Sequence, residues 1–265
     1  MKFSIITPNL NGARFLDEAL TSVAAQRCAG VEVEHWIMDG GSTDGSLAII
    51  QRHLGADTRL ATGPDGGPAA AINRGLGRAT GDIIGWLNAD DRYHPGALAR
   101  VAAVLGAHPR CALGFGACRM VDEAGVEIRR GITRFKELFF PLSSRFTFQC
   151  INYISQPAMF FRRAALDRAG PLREDLAAAF DYEFMLRLWR CGGAVRVPGA
   201  PLADFRWHPG SISGRSFRRQ FREEWQAAAA DAGRFSPQAV VHLGVRGGIV
   251  GAYTLMAQRR AKGAA

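Results

Sequence analysis

The first hundred residues alternate between short apolar runs and segments with the spacing of amphipathic helices. Four runs rich in β-branched and aromatic side chains predict strands, at residues 2–7, 31–38, 59–62 and 83–87. Four segments with apolar side chains three or four positions apart predict helices, at residues 13–26, 47–54, 68–77 and 94–105. Strands that alternate with helices form mainly parallel sheets through right-handed crossovers. The pattern therefore predicts an α/β domain whose sheet is flanked by helices.

The rest of the chain is less regular. We predict a hairpin from residues 113–120 and 126–130, a basic and aromatic loop over 129–145, strands at 155–161, 194–197 and 202–207, and helices at 163–169 and 181–191. From residue 216 onward the sequence is helical and basic. These features divide the chain into two halves, 1–112 and 113–214, and a helical C-terminal extension, 215–265.

The composition is that of a folded protein with a basic surface. Hydrophobic residues make up 48% of the 265 positions and charged residues 22%, which is ordinary for a globular protein. The net charge of +9 favours anionic partners, namely nucleotide phosphates, nucleic acid or an anionic membrane. Residues 201–265 hold ten Lys and Arg against four acids, so most of the excess lies there, and no nucleic-acid-binding motif accompanies it. We therefore expect no nucleic-acid partner.

Cysteine usage and the longest apolar runs indicate the compartment. The five cysteines are scattered, odd in number and without a C-x-x-C pair, which is typical of a reducing compartment. The first apolar run is too short for a signal peptide. The run at 240–257 is interrupted by His242 and Arg246, so it is a poor spanning helix. We expect a cytoplasmic protein, with peripheral contact at the inner face of the plasma membrane as an open alternative.

Polar residues follow the predicted strands at the points where ligands bind in parallel sheets. They are Pro8 and Asn9, Asp39, Asp65, and the run from Asn88 to Asp91. Ligands of open α/β sheets lie beyond the carboxyl ends of the strands. One crevice would therefore collect several acids. In a chain of net charge +9, such an acidic crevice predicts a divalent cation.

The motif Asn88-Ala89-Asp90-Asp91 has two interpretations. Carboxylates on a strand-to-loop turn can bind Mg²⁺ or Mn²⁺, with substrate phosphates as further ligands. Alternatively, Asp91 caps the helix that starts near His94 and Asp90 is a loop acid. The motif alone leaves both open, and the other acidic strand ends favour the metal.

The motif Asp-Gly-Gly-Ser-Thr-Asp-Gly-Ser, residues 39–46, is a glycine-rich turn that allows a close backbone approach to a ligand. It is neither a P-loop nor G-x-G-x-x-G. Asp39 could accept hydrogen bonds from a base or a ribose hydroxyl. Asp44 or Ser46 could instead cap the following helix, and for Asp44 we favour that role.

Two later stretches carry further candidates. Asp181 and Glu183 lie at a predicted helix start, where a carboxylate can act as a general base or can complement the helix dipole. We favour the dipole role for Glu183, and the spacing does not decide for Asp181. His208, in Arg-Trp-His-Pro-Gly-Ser, could bind a metal or a phosphate, although a lone histidine is more often structural.

Five stretches, in order over residues 2–214, resemble the inverting family 2 glycosyltransferases of bacterial exopolysaccharide and cell-surface glycan synthesis. They are SIITPNLNGARFLDEALTSVAAQ, IMDGGSTDGS, GPDGGPAAAINRGLGRATGDIIGWLNADD, FDYEFMLRL and RWHPGSIS. The resemblance implies the GT-A fold, with a nucleotide-sugar-binding half at 1–112 and an acceptor-binding half at 113–214. It implies transfer of a hexose-type sugar from a nucleotide donor, by resemblance a UDP-sugar, to a glycan or lipid-linked acceptor.

The resemblance also implies residue roles. Asp181 would be the catalytic base, and Mn²⁺ or Mg²⁺ would be bound by Asp90, Asp91 and His208. The residues implied in donor binding are Pro8, Asn9, Asn11, Asp39, Asp65, Arg74, Asn88 and Ala89, with Arg74 near the diphosphate.

Three positions depart from the family pattern. Asn88 stands where many members have the first Asp of D-x-D, so its contact would be neutral. Leu10 replaces an aromatic residue that often packs on the base. Phe180 precedes Asp181 where Glu is frequent, and an apolar neighbour would tend to raise the pKa of Asp181.

Two other classes of function compete with this interpretation. A sugar nucleotidyltransferase also uses an α/β fold and Mg²⁺, but it usually has a glycine-rich basic loop near the N-terminus, where this chain has only Arg14. A non-catalytic partner in a glycan-assembly complex is the second alternative. The extension at 215–265 could lie on an anionic bilayer, pack on the domain, or pair with a second subunit in a homodimer.

Overall fold

A computed structural model describes residues 1–211, 214 and 216–248. The strands are β1 (Lys2–Asn9), β2 (Glu32–Asp39), β3 (Thr58–Thr62), β4 (Ile83–Trp86), β5 (Arg92–Tyr93), β6 (Leu113–Gly116), β7 (Cys118–Val121), β8 (Met159–Arg162), β9 (Ala194–Val197) and β10 (Ala203–Arg206). The helices are α1 (Ala13–Ala24), α2 (Ser46–His53), α3 (Pro68–Leu76), α4 (Ala97–Ala107), α5 (Arg130–Glu137), α6 (Arg145–Cys150), α7 (Arg163–Ala169), α8 (Phe180–Arg190) and α9 (Phe217–Ala232). A 3₁₀ turn, Gln156–Ala158, precedes β8, and residues 237–248 are also helical.

The main sheet has seven strands within the described residues, in the order β3-β2-β1-β4-β8-β6-β9. Its pairs are parallel except at β8, which runs antiparallel to both β4 and β6. The prediction of a mainly parallel sheet flanked by helices is confirmed. The strand order reverses between β1 and β4, which is the point where ligands bind in folds of this kind.

The core lies on both faces of the main sheet, which explains the near-continuous apolar runs of its strands. On one face Ile6 packs with Trp86 and side chains from α3 and α8. On the other face Ile5 packs with side chains from α1 and α4. Successive residues of β1 point to opposite faces, so Ile5 and Ile6 serve different halves of the core.

A smaller sheet, β5-β10-β7, lies beside the main one. Strand β10 pairs parallel with β7 and antiparallel with β5. Strand β5 lies directly before the segment that we predicted as a helix from residue 94, and α4 begins at Ala97. The halves 1–112 and 113–214 each contribute strands to both sheets. The division at residue 112 therefore does not separate two sheets, and the assignment of donor binding to one half and acceptor binding to the other stays a prediction.

Several local expectations are wrong. The predicted loop at 129–145 contains α5 and the start of α6. Strand β1 continues through Pro8 to Asn9. Gly45, not Asp44 or Ser46, occupies the position that caps α2. Asp44 accepts hydrogen bonds from the backbone N–H groups of Ser46 and Ala13, so it joins the starts of α2 and α1.

The described part of the C-terminal extension packs on the domain, as one of the three alternatives held. Ala227 and Ala228 of α9 are buried in the core that also holds residues of α8. Asp231, near the end of α9, accepts hydrogen bonds from Arg145 of α6 and Gln149. Among the described residues, none of the helices combines the length and the apolar character needed to cross a membrane.

Candidate active site

An open cleft of about 860 Å³ lies beyond the carboxyl ends of β1 and β4. Its lining comes from the ends of these strands, from the start of α8, from α5, from the segment after β10, and from α9. The cleft therefore lies at the reversal of strand order that the sequence pattern predicted as a binding crevice. It is large enough for a nucleotide-sized ligand.

Most of the predicted site residues are brought together in this cleft. Those on its lining are Pro8, Asn9, Asn11, Asp65, Asn88, Ala89, Asp90, Asp181 and His208. Three others, Asp39, Arg74 and Asp91, lie outside the lining.

Asp90 and His208 form a pair on the cleft wall. The Oδ2 atom of Asp90 and the Nε2 atom of His208 are 3.0 Å apart, and both side chains are partly exposed. The ring of Phe15 lies against the imidazole, with 5.3 Å between the ring centres. An oxygen and a nitrogen at this separation could ligate the same divalent cation. Within the described residues no group of three His, Cys, Asp or Glu side chains could hold a metal, so further ligands would have to come from substrate and water.

Arg206 fixes the turn that carries Asp90. Its side chain is 2% exposed and donates from Nε to the backbone carbonyl of Asp90 at 2.9 Å. Its Nη1 atom donates to the carbonyls of Asp122 and Glu123, each at 3.0 Å. Its backbone N–H donates to Oδ1 of Asp91 at 2.9 Å. One residue of β10 thus ties the Asn88–Asp91 turn to the turn after β7.

Asp91 supports this turn and lies outside the cleft lining. It is 2% exposed, and its carboxylate accepts from the Arg206 backbone and from Nδ2 of Asn88. Burial and the charge of Asp90 raise its pKa well above the usual range. Gly96 holds the cap position of α4, so the helix-cap expectation is wrong, while the metal-ligand role of Asp91 stays a prediction.

Asp39 is also a structural acid. It is fully buried, and its carboxylate accepts from Asn9, from the backbone N–H groups of Gly41 and Ser42, and from the Ser42 hydroxyl. Burial opposes its ionisation, but these hydrogen bonds outweigh that cost and lower its pKa. Both carboxylate oxygens thus have protein donors, and the expected contact with a base or ribose stays a prediction.

Asn9, at the end of the neighbouring strand β1, lines the cleft and has an unpaired side-chain oxygen among the described residues. Its Nδ2 donates to Asp39 at 2.7 Å, so the amide orientation is fixed. Its Oδ1 is buried and has no hydrogen-bond partner in the described part of the chain. A buried acceptor without a donor is uncommon in native structures and calls for a partner from outside the protein.

Arg74 holds the loop that carries Asp65. Its Nη1 atom donates to the carbonyl of Gly63 at 3.1 Å. The carboxylate of Asp65 accepts from the N–H of Gly67, and a Cβ atom at Gly40 would lie 2.8 Å from Oδ2 of Asp65. Arg74 thus supports the pocket wall and lies outside its lining, and the expected contact with a diphosphate stays a prediction.

Asp181 lies in the first turn of α8 and faces the cleft. The backbone N–H of Tyr182 donates to its Oδ1 atom at 2.8 Å. Burial and the charge of Glu224 raise the pKa of Asp181 to about 6, and the charge of Lys136 opposes this shift. A carboxylate with such a pKa is a stronger base than an exposed aspartate and is still ionised at neutral pH.

The sequence patterns missed several residues of this cleft. Gln156 accepts from Asn88 and donates to the carbonyl of Trp86, so it fixes the end of β4 from the 3₁₀ turn that precedes β8. Asn152, Lys136 and Glu224 line the wall near Asp181. None of them belongs to a spaced motif. An arginine inside an apolar strand segment was the one available signal for Arg206.

The sequence matches the family model described as Glycosyl transferase family 2 over residues 4–170. A PGL/p-HBAD biosynthesis glycosyltransferase of Mycobacterium bovis (strain BCG / Pasteur 1173P2) is 35% identical over 189 residues, which cover 70% of this chain and 68% of that protein. The O-antigen biosynthesis protein RfbC of Myxococcus xanthus is 33% identical over 209 residues, which cover 77% of this chain but only 16% of that protein.

Solved structures share the fold at low sequence identity. S. aureus TarS 1–349 in complex with UDP-GlcNAc has a TM-score of 0.68 at 21% identity, over 88% of this chain and 66% of that one. The mannosyltransferase PcManGT from Pyrobaculum calidifontis, in complex with GDP-Man and Mn²⁺, has a TM-score of 0.66 at 19% identity, over 98% and 79%.

The fold is therefore that of the GT-A glycosyltransferases, as the sequence resemblance implied. The chain belongs to glycosyltransferase family 2 and is a transferase enzyme. Family membership speaks against the nucleotidyltransferase and the non-catalytic alternatives.

Replacing Arg206 with Met should lower the free energy of unfolding by about 3–5 kcal/mol, because it leaves buried carbonyl groups and acids without their donor. Arg14→Met is the matched control. Arg14 and Arg206 both lie over the ring of Phe15. The side chain of Arg14 is 64% exposed, however, so its replacement should lower the free energy of unfolding by less than about 1 kcal/mol. Urea unfolding measures both, and equal losses would contradict the role given to Arg206.

Proposed function

We propose that this enzyme transfers a sugar from a nucleoside diphosphate donor, UDP in the simplest case, to a hydroxyl group of a glycan or lipid-linked acceptor, with metal assistance and inversion at the anomeric carbon. The observation that carries the proposal is that the Asp90–His208 pair and the half-buried carboxylate of Asp181 face one cleft. The Asp90–His208 pair offers ligands for a metal beside a diphosphate, and Asp181 offers a proton acceptor.

The donor would lie along the strand ends. Oδ1 of Asn9 would accept a hydrogen bond from the base or ribose, and Pro8, Asn11 and Asp65 would line the same end. Asn88 and Ala89 would lie beside the diphosphate. Family relatives of known structure have been solved with UDP-GlcNAc and with GDP-Man, which supports a nucleotide sugar and leaves the sugar open.

Asp90 and His208 would hold Mn²⁺ or Mg²⁺. The carboxylate suits either ion, and the imidazole nitrogen favours Mn²⁺. When bound, the ion supplies positive charge to the leaving diphosphate. The chain's own contribution is to fix both ligands, through Arg206 behind Asp90 and Phe15 against His208.

Asp181 would act as the general base in a single displacement. Its carboxylate accepts the proton of the acceptor hydroxyl, the freed oxygen bonds to the anomeric carbon, and the bond from that carbon to the diphosphate breaks. The transition state has oxocarbenium character, as in glycoside chemistry generally. One displacement on the face opposite the leaving group inverts the configuration.

Asp181→Asn should bind the donor as the wild type does and lose transfer by about 100-fold or more, because the amide cannot accept the proton. In the wild type, transfer should rise as pH increases through about 6, since only the ionised carboxylate is a base. Steady-state transfer rates and calorimetric donor binding test this. Glu183→Gln on the same helix is the control, since Glu183 is paired with Arg187. Near wild-type transfer by Asp181→Asn would refute the assignment.

Asp90→Asn and His208→Ala should each weaken Mn²⁺-dependent UDP binding by about tenfold or more, because each removes a ligand. Binding of UDP with and without Mn²⁺ by calorimetry measures the effect. Asp17→Asn, an exposed acid on α1, should change nothing. If both variants keep the full metal dependence, the metal site lies elsewhere.

The segment after α9 carries exposed apolar side chains next to a cationic residue. Phe235 is 91% exposed and Val240 62% exposed, and Arg234 precedes them. Apolar and basic groups of this kind can bind an anionic bilayer. The named relatives function in PGL/p-HBAD and O-antigen biosynthesis. We therefore propose synthesis of a cell-envelope glycan, with peripheral membrane contact through 215–265.

Phe235→Ser combined with Val240→Ser should reduce co-sedimentation with vesicles of anionic lipid severalfold, because two apolar contacts are lost. Point variants are required, since removal of α9 would expose the core. Leu54→Ser is the control, because Leu54 is an exposed leucine directly after α2. Equal binding by the double variant and the wild type would rule out this contact.

A further inference from the structure

The cleft lining contains a second carboxylate near Asp181 that the proposed reaction does not use. Glu224 lies on α9, and it lines the cleft together with Asn152, Gln220 and Lys136. We call the polar groups of Asn152, Gln220 and Glu224 the α9 wall. Asp181 faces the same cleft, and the charge of Glu224 raises the pKa of the Asp181 carboxyl group.

Glu224 is buried without a cationic partner. It is 4% exposed, and its Oε1 atom accepts from Nδ2 of Asn152 and from Nε2 of Gln220, each at 3.1 Å. Its Oε2 atom has no hydrogen bond, and no ion pair reaches it, from any residue that the structure describes. Burial raises the pKa of Glu224. A carboxylate in this position costs stability and is not explained by packing.

The adjacent residue shows what a structural glutamate on this helix looks like. Glu223 is equally buried, but it accepts from Arg219 and from the backbone N–H groups of Ala177, Ala178 and Ala179. These donors outweigh the cost of burial and lower its pKa. Glu223 ties α9 to the loop before α8. Glu224 binds only the side chains of Asn152 and Gln220 and connects α9 to no backbone segment among the described residues. We therefore infer that its Oε2 atom binds a ligand.

Asn152 supplies an independent observation. Its Nδ2 is used by Glu224, which fixes the amide, and its Oδ1 is buried without a partner among the described residues. The α9 wall therefore presents one buried acceptor without a donor, Oδ1 of Asn152, beside the Oε2 atom of Glu224, which has no hydrogen bond from the described residues, and one amide donor group on Gln220. Hydroxyl groups are the ligands that satisfy such a set, because each can donate to an oxygen and also accept.

We propose that the α9 wall is a sugar-binding subsite for the acceptor, in which Glu224 and Asn152 accept hydrogen bonds from ring hydroxyls and orient the attacking hydroxyl toward Asp181. The inference rests on the proposed transfer reaction and specifies its acceptor as a neutral sugar ring. An anionic headgroup would meet two carboxylates here. Lys136 is the cation that faces both of them.

Binding of methyl glycosides to the full chain tests this subsite without a known acceptor. Methyl glucoside, galactoside, mannoside and rhamnoside are titrated into protein that holds UDP and Mn²⁺, and saturation-transfer NMR gives the affinity. At least one should bind the wild type. Glu224→Gln and Asn152→Ala should each weaken that glycoside by about tenfold, as expected for a lost hydrogen bond to a charged or buried group.

Three controls make the outcome specific. Arg222→Gln changes an exposed residue of α9 and should leave glycoside binding intact. UDP affinity should stay unchanged in every variant, and Glu224→Asp should restore part of the glycoside affinity. If Glu224→Gln does not fold, Asn152→Ala and Gln220→Ala carry the test.

The subsite is overturned if no glycoside binds, if Glu224→Gln and Asn152→Ala bind like the wild type, or if only phosphorylated or amino sugars bind. Failure of the proposed reaction has a different signature. In that case UDP does not bind the wild type, or nucleotide sugars are not turned over, whatever the glycosides do.

Discussion

The buried guanidinium of Arg206 is the interaction on which the cleft depends. The turn after β4 carries two adjacent carboxylates, and they repel each other. Arg206 binds the backbone carbonyl of Asp90 and, through its own N–H, the side chain of Asp91. It also pairs with Glu18 of α1. A single strand residue thus joins α1, the turn and β10, and the position of His208, two residues further on, follows from it.

The hydrogen bonds of each acid distinguish support from function in this cleft. Asp39 and Glu223 have their oxygens occupied by protein donors, and their pKa values are lowered. Asp181 and Glu224 have few donors and raised pKa values, and they face the open space. A buried charge without partners lowers the free energy of unfolding by roughly several kcal/mol. A carboxylate in such a place is therefore better explained by binding of a ligand than by a contribution to folding.

The sequence predicted the location of the cleft better than the work of each residue within it. Parallel strands end at one edge, so the polar residues after β1, β3 and β4 had to meet there. The burial of Asp39 and Asp91 was not predictable because it depends on distant partners, and the N–H that binds Asp91 belongs to a residue 115 positions away. Helix α5 was missed because its aromatic and basic composition is also typical of loops. Glu224 was missed because it belongs to no motif.

The C-terminal extension has a different meaning once α9 is placed. Net charge suggested a basic tail that binds a surface, yet its two adjacent glutamates do opposite work. Glu223 holds the loop before Asp181, so the extension fixes where α8 begins. Glu224, one residue later, faces the cleft. Neighbouring residues on a helix point about 100° apart, so one short segment can brace the base from behind and also form part of the wall in front of it. The family model ends at residue 170, before α8. Asp181, Gln220 and Glu224 therefore lie in the part of the chain that the model does not cover, whereas Asn152 lies within the part that it does.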